Sequence, residues 1–200
     1  MIKLYGQAKS RASRSLWMLE ELGIEYEHIP VAPYSGSRMP EFLKLNPNGH
    51  IPVLDDNGFV VWESLAINLY LAEKYGRAPL WPESIEQHAG IYQWSFWVTT
   101  EVSVHVAARA MSLRRGDIEG ASREFDAARS ALLILDATLK DRDYVLGTDF
   151  TIADLNVASL LREPHEHEIA NIEVPGIPAV SRWLDACSNR PANRKILEMS

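Results

Sequence analysis

Apolar and less apolar positions alternate over Ile2 to Tyr5, the period of a half-buried strand. A small, polar stretch from Gly6 to Ser13 follows. Leu16, Trp17, Leu19 and Leu22 then recur at helical spacing and stop at Gly23. A second strand is expected from Tyr26 to Val31, a Ser-, Gly- and Pro-rich loop from Pro33 to Pro40, and a short helix from Glu41 to Leu45. Pro52, Val53 and Leu54 lead into Asp56-Asn57-Gly58, a hairpin signal because a type I′ turn needs positive φ at both central residues. Phe59 to Trp62 is the returning strand. Helix resumes at Ser64, with Leu65, Leu69 and Ala72 on one face and a stop at Tyr75-Gly76. The order is βαβ followed by ββα.

GRAPLWP, with two prolines and a glycine between Gly76 and Pro82, cannot continue a helix. It reads as a linker at 77–82. Beyond it the pattern is helical throughout, over about Ile85 to Arg114, Ile118 to Leu139, Ile152 to Leu161 and Pro178 to Ser188. The expected fold class is therefore α/β plus all-α, with an amino-terminal domain over 1–76 and a helical bundle over 83–200.

Two hundred residues, 46% of them hydrophobic and 24% charged, describe a globular chain able to bury a sizeable core. The 20 basic residues against 27 acidic ones give a net charge of −7, with no basic cluster to offset repulsion from phosphates, so nucleic acid is not an expected partner. Apolar runs fall short of the ~20 residues that a bilayer span needs, and MIKLYG passes into a strand pattern where a signal peptide would have a hydrophobic region. A cytoplasmic location is expected, without membrane association. One cysteine, Cys187, excludes an intrachain disulfide, a dithiol redox pair and a multi-thiolate zinc site. Any thiol chemistry here borrows its thiol from another molecule.

Three local patterns carry chemistry. Ile51-Pro52, after the turn-forming Asn48-Gly49, suits a cis peptide that presents the backbone of Ile51 or Val53 to an extended peptide, or else an ordinary rigid turn. Glu63-Ser64 stands where a strand passes into a helix, whose free N–H groups and dipole favour a carboxylate. Glu63 would hold an adjacent ammonium group. The alternative is that Ser64 is a plain N-cap and Glu63 a first-turn acid. In the loop Gly6 to Ser13, Ser10 and Ser13 sit beside Lys9, Arg11 and Arg14, where a hydroxyl in positive surroundings can donate to an anion or merely cap the helix.

Together with GTDFTIADLNVASLL and the closing WLDACSNRPA, the segments IKLYGQAKSRASR, LNPNGHIPVL and ESLAINLYLAEKY resemble the soluble glutathione S-transferases over nearly the whole chain. The resemblance implies a thioredoxin-like amino-terminal domain that holds glutathione, a helical carboxy-terminal domain that shapes the electrophile site, and a homodimer. It implies a cis Ile51-Pro52 turn. By position, Glu63 and Ser64 match the pair that binds the γ-glutamyl end, Ile51 the residue whose backbone pairs with the cysteine, and His50 the position before it, often Lys or Gln in relatives. The first loop is most similar to the serine-type, theta-like subfamilies, which makes Ser10 the catalytic hydroxyl, with Ser13 its competitor. Serine-type relatives often carry a histidine where Ser37 or Arg38 stands. The cysteine-type mechanism needs a thiol in the first loop, and Cys187 is not there.

The implied reaction is attack by the glutathione thiolate on an electrophilic small molecule. Glutathione is co-substrate, and no cofactor or metal is permanently bound. Other readings are a non-catalytic transferase-like scaffold, or a glutathione-dependent disulfide reductase, dehalogenase or isomerase. In the helical part, Thr151-Ile152-Ala153-Asp154 fits a capping box, so Asp154 is structural. Trp94, Trp97, Thr100, Glu101, His105 and Arg109 share related helix faces, as substrate-pocket or packing residues. His165 and His167 in PHEHE lack an evident third metal ligand and read as a solvated loop.

Overall fold

The computed structural model describes residues 1–161 and 176–199. The chain forms two compact units, residues 1–77 with 189–200, and residues 78–188. PHEHE, with His165 and His167, lies outside the described residues.

In the first unit, β1 (Ile2–Tyr5), β2 (Tyr26–Ile29), β3 (Val53–Asp56) and β4 (Phe59–Trp62) form one sheet in the order β2-β1-β3-β4. β1 pairs parallel with β2 and antiparallel with β3, so Leu4 stands opposite both His28 and Leu54. β3 and β4 form the expected hairpin, with Asn57 at φ 53° and Gly58 at φ 93°. Helix α1 (Ala12–Leu22) packs on β1 and on α3 (Ser64–Tyr75). A short α2 (Pro40–Leu43) lies between β2 and β3. Leu4, Leu16, Met18, Leu19, Leu54, Ile67 and Leu71 are fully buried.

Several boundaries differ from the sequence reading. β2 stops at Ile29 because Pro30 has no N–H to give a ladder. α2 begins at Pro40, whose ring suits the first helical position. α3 buries Ile67, Asn68, Leu71 and Ala72, leaving Leu65 and Leu69 only half-buried, so its inward face is rotated from the expected stripe. The expected helical domain over 83–200 also loses its end. Residues 189–200, including a further helix α9 (Pro191–Glu198), belong to the first unit, where α9 packs on α1. The reason is charge: Glu20 and Glu21, at the unfavourable end of the α1 dipole, are met by Lys195 and Arg190.

The second unit comprises α4 (Ile85–Trp97), α5 (Val104–Arg114), α6 (Ile118–Leu139), α7 (Ile152–Leu161) and α8 (Pro178–Ser188). Every residue of α7 is buried. Asp154 gathers the packing around it. Its carboxylate accepts from the Thr151 N–H and hydroxyl, as a capping box requires, and also from the Val145 N–H and the Trp183 indole. The expected single helix over 85–114 is divided by a π-helical segment at Val98–Ser103. There Thr99 and Thr100 donate to the carbonyls of Ser95 and Phe96 four residues back, supplying partners in a stretch where the backbone bonds change register.

Candidate functional site

Gly6 ends β1 at φ 144°, and a Cβ built on it would lie 2.7 Å from the Ala12 side chain and 3.4 Å from that of Ile51. Only glycine lets the first loop, the start of α1 and the Ile51 turn meet so closely. Two of the three sequence patterns therefore converge here.

Within the loop, Ser10 Oγ donates to the Gln7 carbonyl at 2.6 Å and accepts from the Ala12 N–H at 3.1 Å. The Ser10 carbonyl accepts from the Ser13 N–H at 2.9 Å. Ser10 thus shapes the loop and begins α1. Ser13 is also half-buried, in the first turn of α1. Lys9 and Arg11 are exposed, whereas Arg14 is buried.

The Ile51-Pro52 peptide is cis, and Val53 pairs with Tyr5 and Trp62. Asn46 builds the preceding loop: its Nδ2 donates to the His50 carbonyl at 2.8 Å and its Oδ1 accepts from the Asn48 N–H at 3.0 Å. The His50 side chain is left exposed. Arg38 lies against Gly49, where an added Cβ would come within 3.0 Å of Arg38 Nη1 and 2.9 Å of the Ser37 carbonyl. A guanidinium and an imidazole therefore flank one turn. Of the two positions left open, Ser37 is buried and Arg38 is the exposed one.

At the third pattern the capping alternative fails. Glu63, not Ser64, is the N-cap of α3; it makes no side-chain capping bond, and its carbonyl accepts from the Ile67 N–H at 2.9 Å. Its φ of 74° and ψ of 115° place a non-glycine residue in positive-φ territory, a conformation that proteins hold mostly where a site requires it. The Glu63 carboxylate is exposed at the helix start. Ser64 is buried beneath it, with its Oγ accepting from Arg14 Nη1 at 3.1 Å. Ser15 Oγ also reaches the Ser64 carbonyl, at 3.4 Å. Arg14, read in the sequence only as part of a basic loop, is thus beneath α3. In the fold it takes one of the buried positions of α1, one turn before Met18.

Chemically, the first unit presents the free N–H groups of the α3 N-terminus, an exposed carboxylate at Glu63, the cis turn at Ile51-Pro52 and hydroxyls at Ser10 and Ser13. In the second unit Trp94 is a core residue, edge-to-face with Trp97 at 4.9 Å. Thr100 and Glu101 are exposed, His105 pairs with Glu124 at 2.7 Å, and Arg109 stands over the Phe125 ring. Cys187 is buried in α8.

Comparison with known proteins finds two family models on the chain. The glutathione S-transferase N-terminal domain model matches residues 1–73, and the C-terminal domain model matches residues 105–191. Glutathione S-transferase D7 of Drosophila melanogaster is 32% identical over 92% of this chain and 82% of its own length. Glutathione S-transferase GstB of Escherichia coli K12 is 31% identical over 98% of both chains. Among solved structures, the theta class glutathione S-transferase of Xanthomonas axonopodis pv. citri, with glutathione bound, superposes with a TM-score of 0.82 at 28% identity over 97% of this chain and 95% of that one. The thioredoxin-like unit, the helical unit and these relatives together make the chain a member of the glutathione S-transferase family.

Proposed function

We propose that this transferase binds glutathione on the 1–77 part of its first unit and ionises the thiol there for attack on an electrophilic small molecule. The carrying observation is the start of α3, where a buried Ser64 hydroxyl lies beside the exposed, positive-φ Glu63. The γ-glutamyl α-carboxylate takes the Ser64 hydroxyl and the free N–H groups of the first helical turn. Its ammonium group pairs with Glu63. The cysteinyl backbone pairs with Ile51, and the glycyl carboxylate lies between His50 and Arg38, the position where relatives often have histidine.

A free thiol of pKa ~8.5 is about 3% ionised at pH 7, and the thiolate is the nucleophile. Lowering that pKa by ~2 units takes ~2.7 kcal/mol of preferential anion stabilisation, within reach of one hydroxyl donor plus the positive end of α1. Ser10 supplies the donor by turning its proton from the Gln7 carbonyl to the sulfur. The thiolate electron pair then forms the new bond to the electrophilic carbon, and the leaving group departs with its own bonding pair. The thiol proton goes to solvent.

The working form is a homodimer in the cytoplasm, the compartment that keeps thiols reduced. Exposed Phe59 and Trp62 on the first unit, and Phe96 on the second, supply apolar surface for a second copy to cover. Retention on immobilised glutathione, followed by conjugation assays against a panel of halogenated, epoxide and disulfide substrates, tests this reading. Absence of both retention and turnover overturns it, and retention without turnover leaves a glutathione-binding scaffold.

A further inference from the structure

Arg14 is 6% exposed within the apolar stripe of α1, and a guanidinium is rarely placed so deeply without a task. Nη1 donates to Ser64 Oγ at 3.1 Å, while the Arg14 carbonyl accepts from Asn68 Nδ2 at 3.5 Å, one turn further along α3. A serine hydroxyl has one proton and two acceptor positions. With Arg14 on one acceptor position, the proton of Ser64 is directed elsewhere, and the first turn of α3 offers unsatisfied N–H donors beside it. Burial and the nearby Arg11 lower the guanidinium to about 9, with Glu63 opposing them, so it is charged at neutral pH.

We propose that Arg14 is a positioning residue of the glutathione site: from beneath α3 it holds the Ser64 hydroxyl as a donor and places a positive charge behind it for the γ-glutamyl α-carboxylate. The inference rests on the glutathione reading above. It explains a charge in a place where a methionine would fill the volume without desolvation. A charge-assisted hydrogen bond is worth roughly tenfold to a hundredfold in affinity, which sets the scale of the effect.

The test is calorimetric titration of the full chain with two peptides, glutathione and γ-aminobutyryl-cysteinylglycine, which lacks only the α-carboxylate. Arg14→Met is expected to weaken glutathione by roughly ten- to a hundredfold while changing the truncated peptide less than about threefold. Its thermal midpoint is expected to be no lower than that of the wild type, since a buried charge is removed. Arg14→Lys, which keeps the charge, recovers part of the glutathione affinity. Should Arg14→Met fail to fold, Arg14→Gln carries the test, because it keeps an N–H donor and drops the charge; it too is expected to lose affinity for glutathione alone. Equal losses for both peptides, or no loss for glutathione, overturn the inference. A wild-type protein that binds neither peptide overturns the glutathione reading and this inference with it.

Discussion

Arg190 closes on Glu21 with two parallel bonds, Nε to Oε1 at 2.7 Å and Nη2 to Oε2 at 2.8 Å, joining positions 169 apart in sequence. Beside it Lys195 reaches Glu20 at 2.6 Å, and Glu20 and Glu21 also accept from Tyr26 and the Trp17 indole. The last helix is thereby fastened to the C-terminal end of α1.

Because the Glu21 carboxylate is 8% exposed, its pair with Arg190 is shielded from salt better than a surface bridge. Arg190→Ala is expected to cost about 1–3 kcal/mol, a loss that persists at high ionic strength. Arg190→Lys should recover little, since an ammonium group cannot reproduce the two-pronged geometry. Urea unfolding at low and high salt checks both. A fragment of residues 1–77 is expected to be less stable than the same fragment carrying 189–200.

Ser10→Ala is expected to raise the pKa of the bound glutathione thiol and lower turnover by roughly ten- to a hundredfold, the worth of one hydrogen bond to an anion. Thiolate absorbance against pH reads the pKa directly. Ser13→Ala is the control, and an unchanged Ser10 variant beside an impaired Ser13 variant transfers the role.

Asp56 predicts an acid limb. Burial alone would raise its carboxyl, but hydrogen bonds from Lys74, Tyr75, Tyr70 and Asn57 outweigh burial and hold it well below the usual carboxylate range. Its folded pKa is thus depressed, so the stabilisation is full above about pH 4, the unfolded value, and is lost as pH falls further toward the folded one. Asp56→Asn is expected to flatten the fall in stability between pH 4 and pH 2. Parallel stability curves for variant and wild type would contradict this.

Asp154 is fully buried, with burial pushing its carboxyl up against the hydrogen bonds that it accepts. Asp154→Ala strands the donors of Thr151, Val145 and Trp183 together and should cost about 3–5 kcal/mol. Thr151→Ala removes only cap bonds, about 1 kcal/mol. Near-equal losses in thermal unfolding would reduce Asp154 to a simple cap.

What the sequence determined by itself is what neighbours along the chain decide. Strand alternation, the Asn57-Gly58 hairpin, the stop at Gly23 and the Thr151-to-Asp154 box each depend on residues within one turn, so their geometry follows from spacing alone. The same holds for the order of elements, and for Ile51, Glu63 and Ser64 as groups at element ends. Tertiary structure decided which groups face each other. Ser64 accepts from Arg14 across 50 positions, Asp56 gathers donors from α3, and α9 joins the first unit because Glu20 and Glu21 required cations that no local partner supplied. The rotated face of α3 belongs with these, since Ile67 and Leu71 turn inward only once α1 and the sheet are there to receive them. Periodicity registers that a face is apolar, but a charge buried against a distant hydroxyl leaves no period to read. Arg14 therefore looks in sequence like one more basic residue of a loop, and only packing shows it beneath α3.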